Sequence, residues 1–295
     1  MSEKKNMVTK EQKFVESVIG RIEDQMKQEG FCIKYHAKVD NNVVKHGIEV
    51  FKEKRESKFQ IGAIIYFEKV WLEISDDAII QKLLDAVKQT PDFNLQQLMD
   101  REYILKNVYP MIQKIENLDR YQDLDLFYSI HDCFIILYYI PVENHESVCF
   151  AHAKVQKQIL GTLNIQEEDL VKSAFENIKK SLQIQSMQEC MEEMFSIELE
   201  DERPVPLMIV SNREKYFGAS AILLPEVYDK LSKKLGEKFI IIPSSIHECL
   251  VTEYQDDLEM LVDMVKEVNE TQVAPEDQLS DHIYLCTKEG VSLLK

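Results

Sequence analysis

Phe239-Ile240-Ile241-Ile242-Pro243-Ser244-Ser245-Ile246-His247-Glu248 reads as a buried strand stopped by a proline turn that carries two hydroxyls, an imidazole and a carboxylate. Four large apolar residues in a row suit a strand covered on both faces. Pro243 ends the ladder because it has no N–H to donate. Just upstream, Pro225 to Leu235 has helical spacing, with proline at its first position and Gly236 just past its end. Before it the pattern predicts a strand at Leu207 to Val210, a turn around Asn212-Arg213 and a strand at Ala219 to Leu224. After it come a strand at Ile246 to Tyr254 and a helix capped by Asp257, with Leu258, Leu261, Val262, Val265 and Val268 on its apolar face. A strand at His282 to Cys286 closes the chain.

The N-terminal half opens on a helix whose start, Thr9-Lys10-Glu11-Gln12, has the form of a capping box. Its apolar stripe, Phe14, Val15, Val18, Ile19, Ile22 and Met26, is predicted to pack on a hairpin of Phe31 to Val39 and Val43 to Phe51, turned at Asp40-Asn41-Asn42. A third strand is expected within Ile61 to Leu72. Ser75-Asp76-Asp77 then opens a helix that Pro91 stops, and a helical stretch from Leu95 to Ile115 is expected to break at Tyr109-Pro110. Leu124 to Val142 is too long for one flat strand and is read as a strand bent at His131-Asp132, pairing with Val148 to Ala153. Helices follow near Lys154 to Leu160, from Glu167 to Leu182 after a cap at Asn164, and after the capping box Ser186-Met187-Gln188-Glu189. The acidic, proline-containing segment 196–206 reads as a connector.

Composition narrows the class. The 295 residues are 45% apolar and 29% charged, with only 8 glycines and 8 prolines, which marks an ordered globular chain. No apolar run approaches the roughly 20 residues of a membrane span, and the first residues lead into an amphipathic pattern. The six cysteines are scattered without a Cys-x-x-Cys pair, so free thiols and a cytoplasmic setting are expected, with no structural zinc. A net charge of −17 opposes phosphate neutralisation, so neither nucleic acid nor an anionic membrane is an expected partner. Mimicry of a nucleic acid in a partner's basic groove is the sharper alternative reading of the same charge.

Asn212 with Gly218-Ala219, then Ile242 through Glu248, Val265 with Glu267-Val268-Asn269, and Leu279-Ser280-Asp281 together resemble a family of uncharacterised bacterial proteins known only as a domain of unknown function. Asn41-Asn42-Val43, His46-Gly47-Ile48 and Arg101 through Pro110 are similar to that family as well. The resemblance covers most of the chain. It implies one intact architecture and carries no activity, substrate or catalytic residue.

Each chemistry-bearing group also has a structural use. A serine hydrolase needs its nucleophile within hydrogen-bond reach of a base and a third group to orient that base. Ser245 and His247, two apart on one strand, would stand roughly 7 Å apart along the backbone, and no Gly-x-Ser-x-Gly context accompanies them. Ser244, Ser245, His247 and Glu248 are therefore the catalytic candidates but are expected to serve the strand end. Metal binding by His131, Asp132, His145, His152, His282 or Asp281 lacks convergent spacing, and no cofactor is expected. Arg213 beside Asn212 is the candidate grip for an anion, although turn residues of this kind are commonly structural. Asn269 and Asp281 are binding candidates better read as joining the last helix to the loop after it.

The expected architecture is α+β, with mixed or antiparallel sheets decorated by amphipathic helices in two lobes, 1–122 and 123–295. The expected function is a non-enzymatic protein-interaction or regulatory module that binds another protein. The alternative is a hydrolase or small-ligand binder using the Ser244 to Glu248 turn.

Overall fold

The computed structural model describes residues 9–40, 42–52, 62–89, 95–122, 124–131, 133–142, 151–196 and 207–295. The chain forms an α+β fold in which the sheets are antiparallel. Contacts group it into two units, Met1–Leu95 and Gln96–Lys295.

The first unit runs α1 (Lys10–Gln28), β1 (Cys32–Asp40), β2 (Val43–Phe51), β3 (Gly62–Tyr66) and α2 (Asp76–Gln89). Thr9 caps α1 by accepting the Gln12 N–H at 3.0 Å. The helix then buries Val15, Val18, Ile22 and Met26, residues spaced to lie on one face. β1 and β2 pair from Cys32↔Phe51 to Asp40↔Val43, as the sequence predicts, although Asn41 of the turn lies outside the described residues. The third strand ends at Tyr66. Beyond it Lys69–Leu72 winds into a short 3-10 turn that sends Trp71 into the core beside Ile48, Ile79 and Leu83.

The second unit contains, in order, α3 (Arg101–Asn107), β4 (Tyr109–Lys114), α4 (Leu118–Tyr121), β5 (Tyr128–His131), β6 (Phe134–Val142), β7 (Ala151–Lys154), α5 (Lys157–Leu163), α6 (Glu167–Ser181) and β8 (Leu182–Ser186). It continues with α7 (Met187–Phe195), β9 (Met208–Asn212), α8 (Pro225–Leu235), β10 (Phe239–Ile242), β11 (Cys249–Glu253), α9 (Glu259–Thr271), β12 (Tyr284–Thr287) and β13 (Gly290–Leu293). One sheet has β6 between β4 on one side and β5 with β7 on the other. The other has six strands in the order β13-β12-β10-β11-β9-β8.

Several expectations change here, each for a physical reason. The stretch expected as helix to Ile115 leaves the helix at Asn107, and Tyr109–Lys114 pairs with β6. Pro110 is tolerated in β4 because this is an edge strand, and its carbonyl accepts the Ser220 hydroxyl at 2.9 Å. The expected bent strand is a hairpin: β5 and β6 pair back to His131↔Phe134 around Asp132, which is not among the described residues. The expected strand Ala219 to Leu224 is a buried 3-10 segment, Gly218–Leu223, because both sides of β9 are already taken by β8 and β11. Ile246 to Glu248 is turn rather than strand, and β8 and β13 were not anticipated. Asn164 proves to be the left-handed C-cap of α5 rather than the N-cap of α6. Val268, expected on the buried face of α9, is 38% exposed.

Cys32, Cys133, Cys190, Cys249 and Cys286 form no disulfide, and Cys149 lies outside the described residues. No described helix is long and apolar enough to cross a membrane.

Gly47 sets a tolerance for the first unit. A methyl group at this position of β2 would stand 2.5 Å from the Ile65 carbonyl oxygen, so β3 would have to move. Gly47→Ala should destabilise this unit by about 1–3 kcal/mol through that overlap. The only tryptophan of the chain, Trp71, sits in the unit's core, so its fluorescence during denaturation reads the effect directly. An unchanged midpoint would contradict the expectation.

Candidate functional site

The turn between β10 and β11 meets the loop that follows β9, and both are built by local hydrogen bonding. Asn212, the buried last residue of β9, spans the loop with its amide: Nδ2 donates to the Tyr216 carbonyl at 2.8 Å and Oδ1 accepts the Tyr216 N–H at 3.0 Å. Two residues within that loop take left-handed backbones, Lys215 (φ 50°) and Phe217 (φ 53°). For an aromatic residue such a backbone costs on the order of 1–3 kcal/mol and persists only where surroundings compel it.

His247 supplies that compulsion. The Phe217 N–H donates to His247 Nδ1 at 3.1 Å, and the two rings stack at 5.5 Å with an interplanar angle of 10°. Because Nδ1 accepts, the network assigns the ring hydrogen to Nε2, which lies 3.3 Å from Asp277 Oδ1. The His247 carbonyl accepts the Ser211 hydroxyl at 2.8 Å. Gly218 lets these strands meet, since a Cβ there would stand 2.3 Å from Ser211 Oγ and 2.8 Å from the His247 oxygen.

Around this joint lies a cluster of rings. Phe217 packs edge-on against Tyr139 and His152, each at 5.0 Å. The Tyr216 hydroxyl is 3.0 Å from His152 Nδ1, and Tyr109 stacks on Tyr139 at 5.9 Å. Burial pushes the Tyr139 phenol well above its ordinary range, with Tyr109, Tyr216 and Glu214 adding to the effect. Its ring packs against Tyr109, His152, Tyr216 and Phe217.

The catalytic candidates are near one another but are not coupled as a hydrolase requires. Ser245 Oγ accepts the His247 backbone N–H at 3.1 Å, and its N–H donates to the Glu248 carbonyl at 3.2 Å. Ser244 is half-buried, and no described hydrogen bond uses its hydroxyl. Neither serine reaches the imidazole, whose two nitrogens are taken by Phe217 and Asp277. Burial and the Glu248 charge push the neighbouring Cys249 thiol up, away from the thiolate form that acts as a nucleophile.

The binding candidates divide. Arg213 is exposed, and its backbone N–H donates to the Ser181 carbonyl at 2.9 Å. Asn269 of α9 is buried and joins the helix to the next loop: Nδ2 donates to the Ser280 carbonyl and to Asp281 Oδ1, both at 2.8 Å. Lys114 of β4 approaches Asp281 Oδ2 at 3.5 Å. Asp132 and His145 are outside the described residues, and among those described no three His, Cys, Asp or Glu side chains gather as metal ligands.

The architecture of these two joints runs across residues that a family model spans, 11–288, that of a family of unknown function (DUF5688). The chain belongs to this family. Comparison with curated proteins and with solved structures finds no match. The family resemblance read from the sequence includes Asn212, Gly218 and His247 and implies no role for any of them, whereas the geometry gives each one. Reading the sequence alone missed Ser211, Tyr216, Phe217 and Asp277. The proximity of Gly218 to two aromatic residues was the available signal for the loop, whereas nothing local tied Asp277 to a histidine thirty positions away.

Two outcomes test this account. His247→Ala strands the Phe217 N–H and removes the stack that holds its left-handed backbone, and should cost about 1–3 kcal/mol. A melting temperature unchanged or raised would refute the joint. For Asp281, burial pushes the carboxyl up, but the Asn269 hydrogen bond and the Lys114 ammonium outweigh it and leave it below the ordinary 3.8. A carboxyl lowered in the folded state stabilises fully above its unfolded value and loses that contribution as pH falls through the folded one. The melting-temperature gap between wild type and Asp281→Asn should therefore be widest near neutrality and close on acidification below 3.8, a trend thermal scans across pH would measure.

Proposed function

We propose that this protein is a non-enzymatic interaction or regulatory module of the cytoplasm that acts by binding another protein. Helix α7 carries the reading. Ser186 and Glu189 form a full capping box at its start, Ser186 Oγ accepting the Glu189 N–H at 3.1 Å while the Glu189 carboxylate accepts the Ser186 N–H at 2.6 Å. Met187, Cys190, Met191, Met194 and Phe195 recur at helical spacing and make one apolar stripe. Yet none of the nine residues of α7 is buried, and Met191, Met194 and Phe195 are 39%, 69% and 60% exposed. Adaptable methionines beside an aromatic ring, offered on one helix face, suit recognition of another protein.

The net charge of −17 favours a protein over nucleic acid or an anionic membrane, and the five described cysteines, none in a disulfide, are in keeping with a reducing compartment. The engagement of both His247 nitrogens withdraws support from the hydrolase alternative.

Affinity purification of the tagged protein from its own cells, beside the Met194→Glu, Phe195→Glu double variant, tests the reading. Both positions are exposed, so the variant should keep wild-type stability to within about 0.5 kcal/mol. It should lose a protein that the wild type retains. A variant that keeps every companion of the wild type, or a wild type recovered alone, would overturn it.

A further inference from the structure

We infer that the outer edge of β8 and the facing side of α8 form a groove that binds an extended acidic segment of a partner protein by strand addition. The inference rests on the interaction reading above and names its surface and the chemistry of its partner.

Among the described residues β8 is the last strand of the six-stranded sheet. Its pairing with β9 alternates between residues whose backbone groups face β9 and residues whose groups face outward. The phase is set at both ends: the Arg213 N–H donates to the Ser181 carbonyl and the Met187 N–H donates to the Leu207 carbonyl, each at 2.9 Å. With the register Gln183↔Ser211 and Gln185↔Ile209, the odd-numbered residues point to β9 and Leu182, Ile184 and Ser186 point away. The Leu182 N–H closes the end of α6 on the Lys179 carbonyl, and the Ser186 N–H is held by Glu189. That leaves Ile184, whose N–H and C=O have no partner among the described residues. Such a pair can form two hydrogen bonds with an incoming strand.

The edge opens on a groove of about 510 Å³, lined by Leu182 and Ile184 from β8 and by Leu231, Lys230, Lys233 and Lys234 from α8. Leu231 is buried and floors it, while the three lysines are exposed along its side. None of the three forms an ion pair within 4 Å among the described residues. The nearby acids Glu226 and Glu189 make their short contacts with Lys179 and with the start of α7, and Lys230 and Lys234 act on them from beyond 4 Å, each adding to the lowering of the carboxyl. A basic strip on a chain of net charge −17 is a local inversion of sign.

Charge also chooses the occupant. A second copy of the chain adding its own β8 would bring the same lysines against these, and like charges brought together oppose association. An extended acidic peptide satisfies both the open backbone pair and the lysines.

The test uses the full chain and a fluorescein-labelled peptide, Glu-Val-Glu-Val-Glu-Val-Glu, with binding followed by fluorescence anisotropy. The wild type should bind it, and Lys230→Glu, Lys233→Glu, Lys234→Glu should weaken binding by about tenfold or more. A peptide of the same sequence N-methylated at every peptide bond keeps the charge but loses the strand donors, and should weaken binding to the wild type comparably. That arm needs no altered protein, so it decides the question even if the triple variant fails to fold. No binding by the wild type, or equal binding in either comparison, overturns the groove. Retention by the triple variant of the companion lost by the α7 variant would overturn the groove alone. Recovery of the wild type without any companion would overturn the interaction reading itself.

Discussion

The hydrogen bond from the Phe217 N–H to His247 Nδ1 is the constraint around which the loop after β9 and the turn between β10 and β11 are arranged. It holds an aromatic residue in a left-handed backbone, a conformation that an isolated loop would abandon. In return, the strained residue places its ring over the imidazole and against Tyr139 and His152. The Asn212 amide and the Gly218 backbone make the geometry attainable, one by closing the loop and the other by leaving room for Ser211 to reach the His247 carbonyl. Serine, histidine and aspartate thus stand close together, but their hydrogen bonds run to backbone groups and to one another in an order that organises two loops. The same residue types, with one imidazole nitrogen left open to a hydroxyl, would make a different kind of site.

His46 shows the same use of histidine in the first unit. Its Nε2 is 3.0 Å from the Thr9 hydroxyl and its Nδ1 is 2.6 Å from the Tyr35 hydroxyl, so it ties the cap of α1 to the hairpin. Buried imidazoles with both nitrogens occupied are structural crosslinks, and their value lies in satisfying two distant polar groups at once. The features that look outward are of another kind: the apolar stripe of α7 and the basic strip of α8 beside the edge of β8. Function is proposed there because the stripe is left exposed and the lysines form no ion pair within 4 Å among the described residues.

Much of the fold was legible wherever the signal was local. The caps of α1 and α7, the proline and glycine that bracket α8, and the alternation through β1 and β2 each involve neighbours in sequence, so residue type and spacing suffice to read them. Errors arose where one pattern suits two structures. Gly218 to Leu223 is apolar enough for a buried strand but found no open strand edge, and became a 3-10 segment. Tyr109–Lys114 looked like a continuing helix until Pro110, yet the aromatic edge of β6 was available to pair with it.

By itself the sequence determined the α+β class, the position of the helices with strong termini, and the presence of a polar turn after Phe239–Ile242, because propensity, capping and hydrophobic period act over a few residues. Only the tertiary structure decided what that turn does. The partners of His247 come from positions 217 and 277, and hydrogen-bond direction at its ring depends on which groups the fold brings to each nitrogen. The open edge of β8 has the same origin: a strand's free backbone groups are those its neighbours leave unpaired, and strand order is a property of the folded sheet.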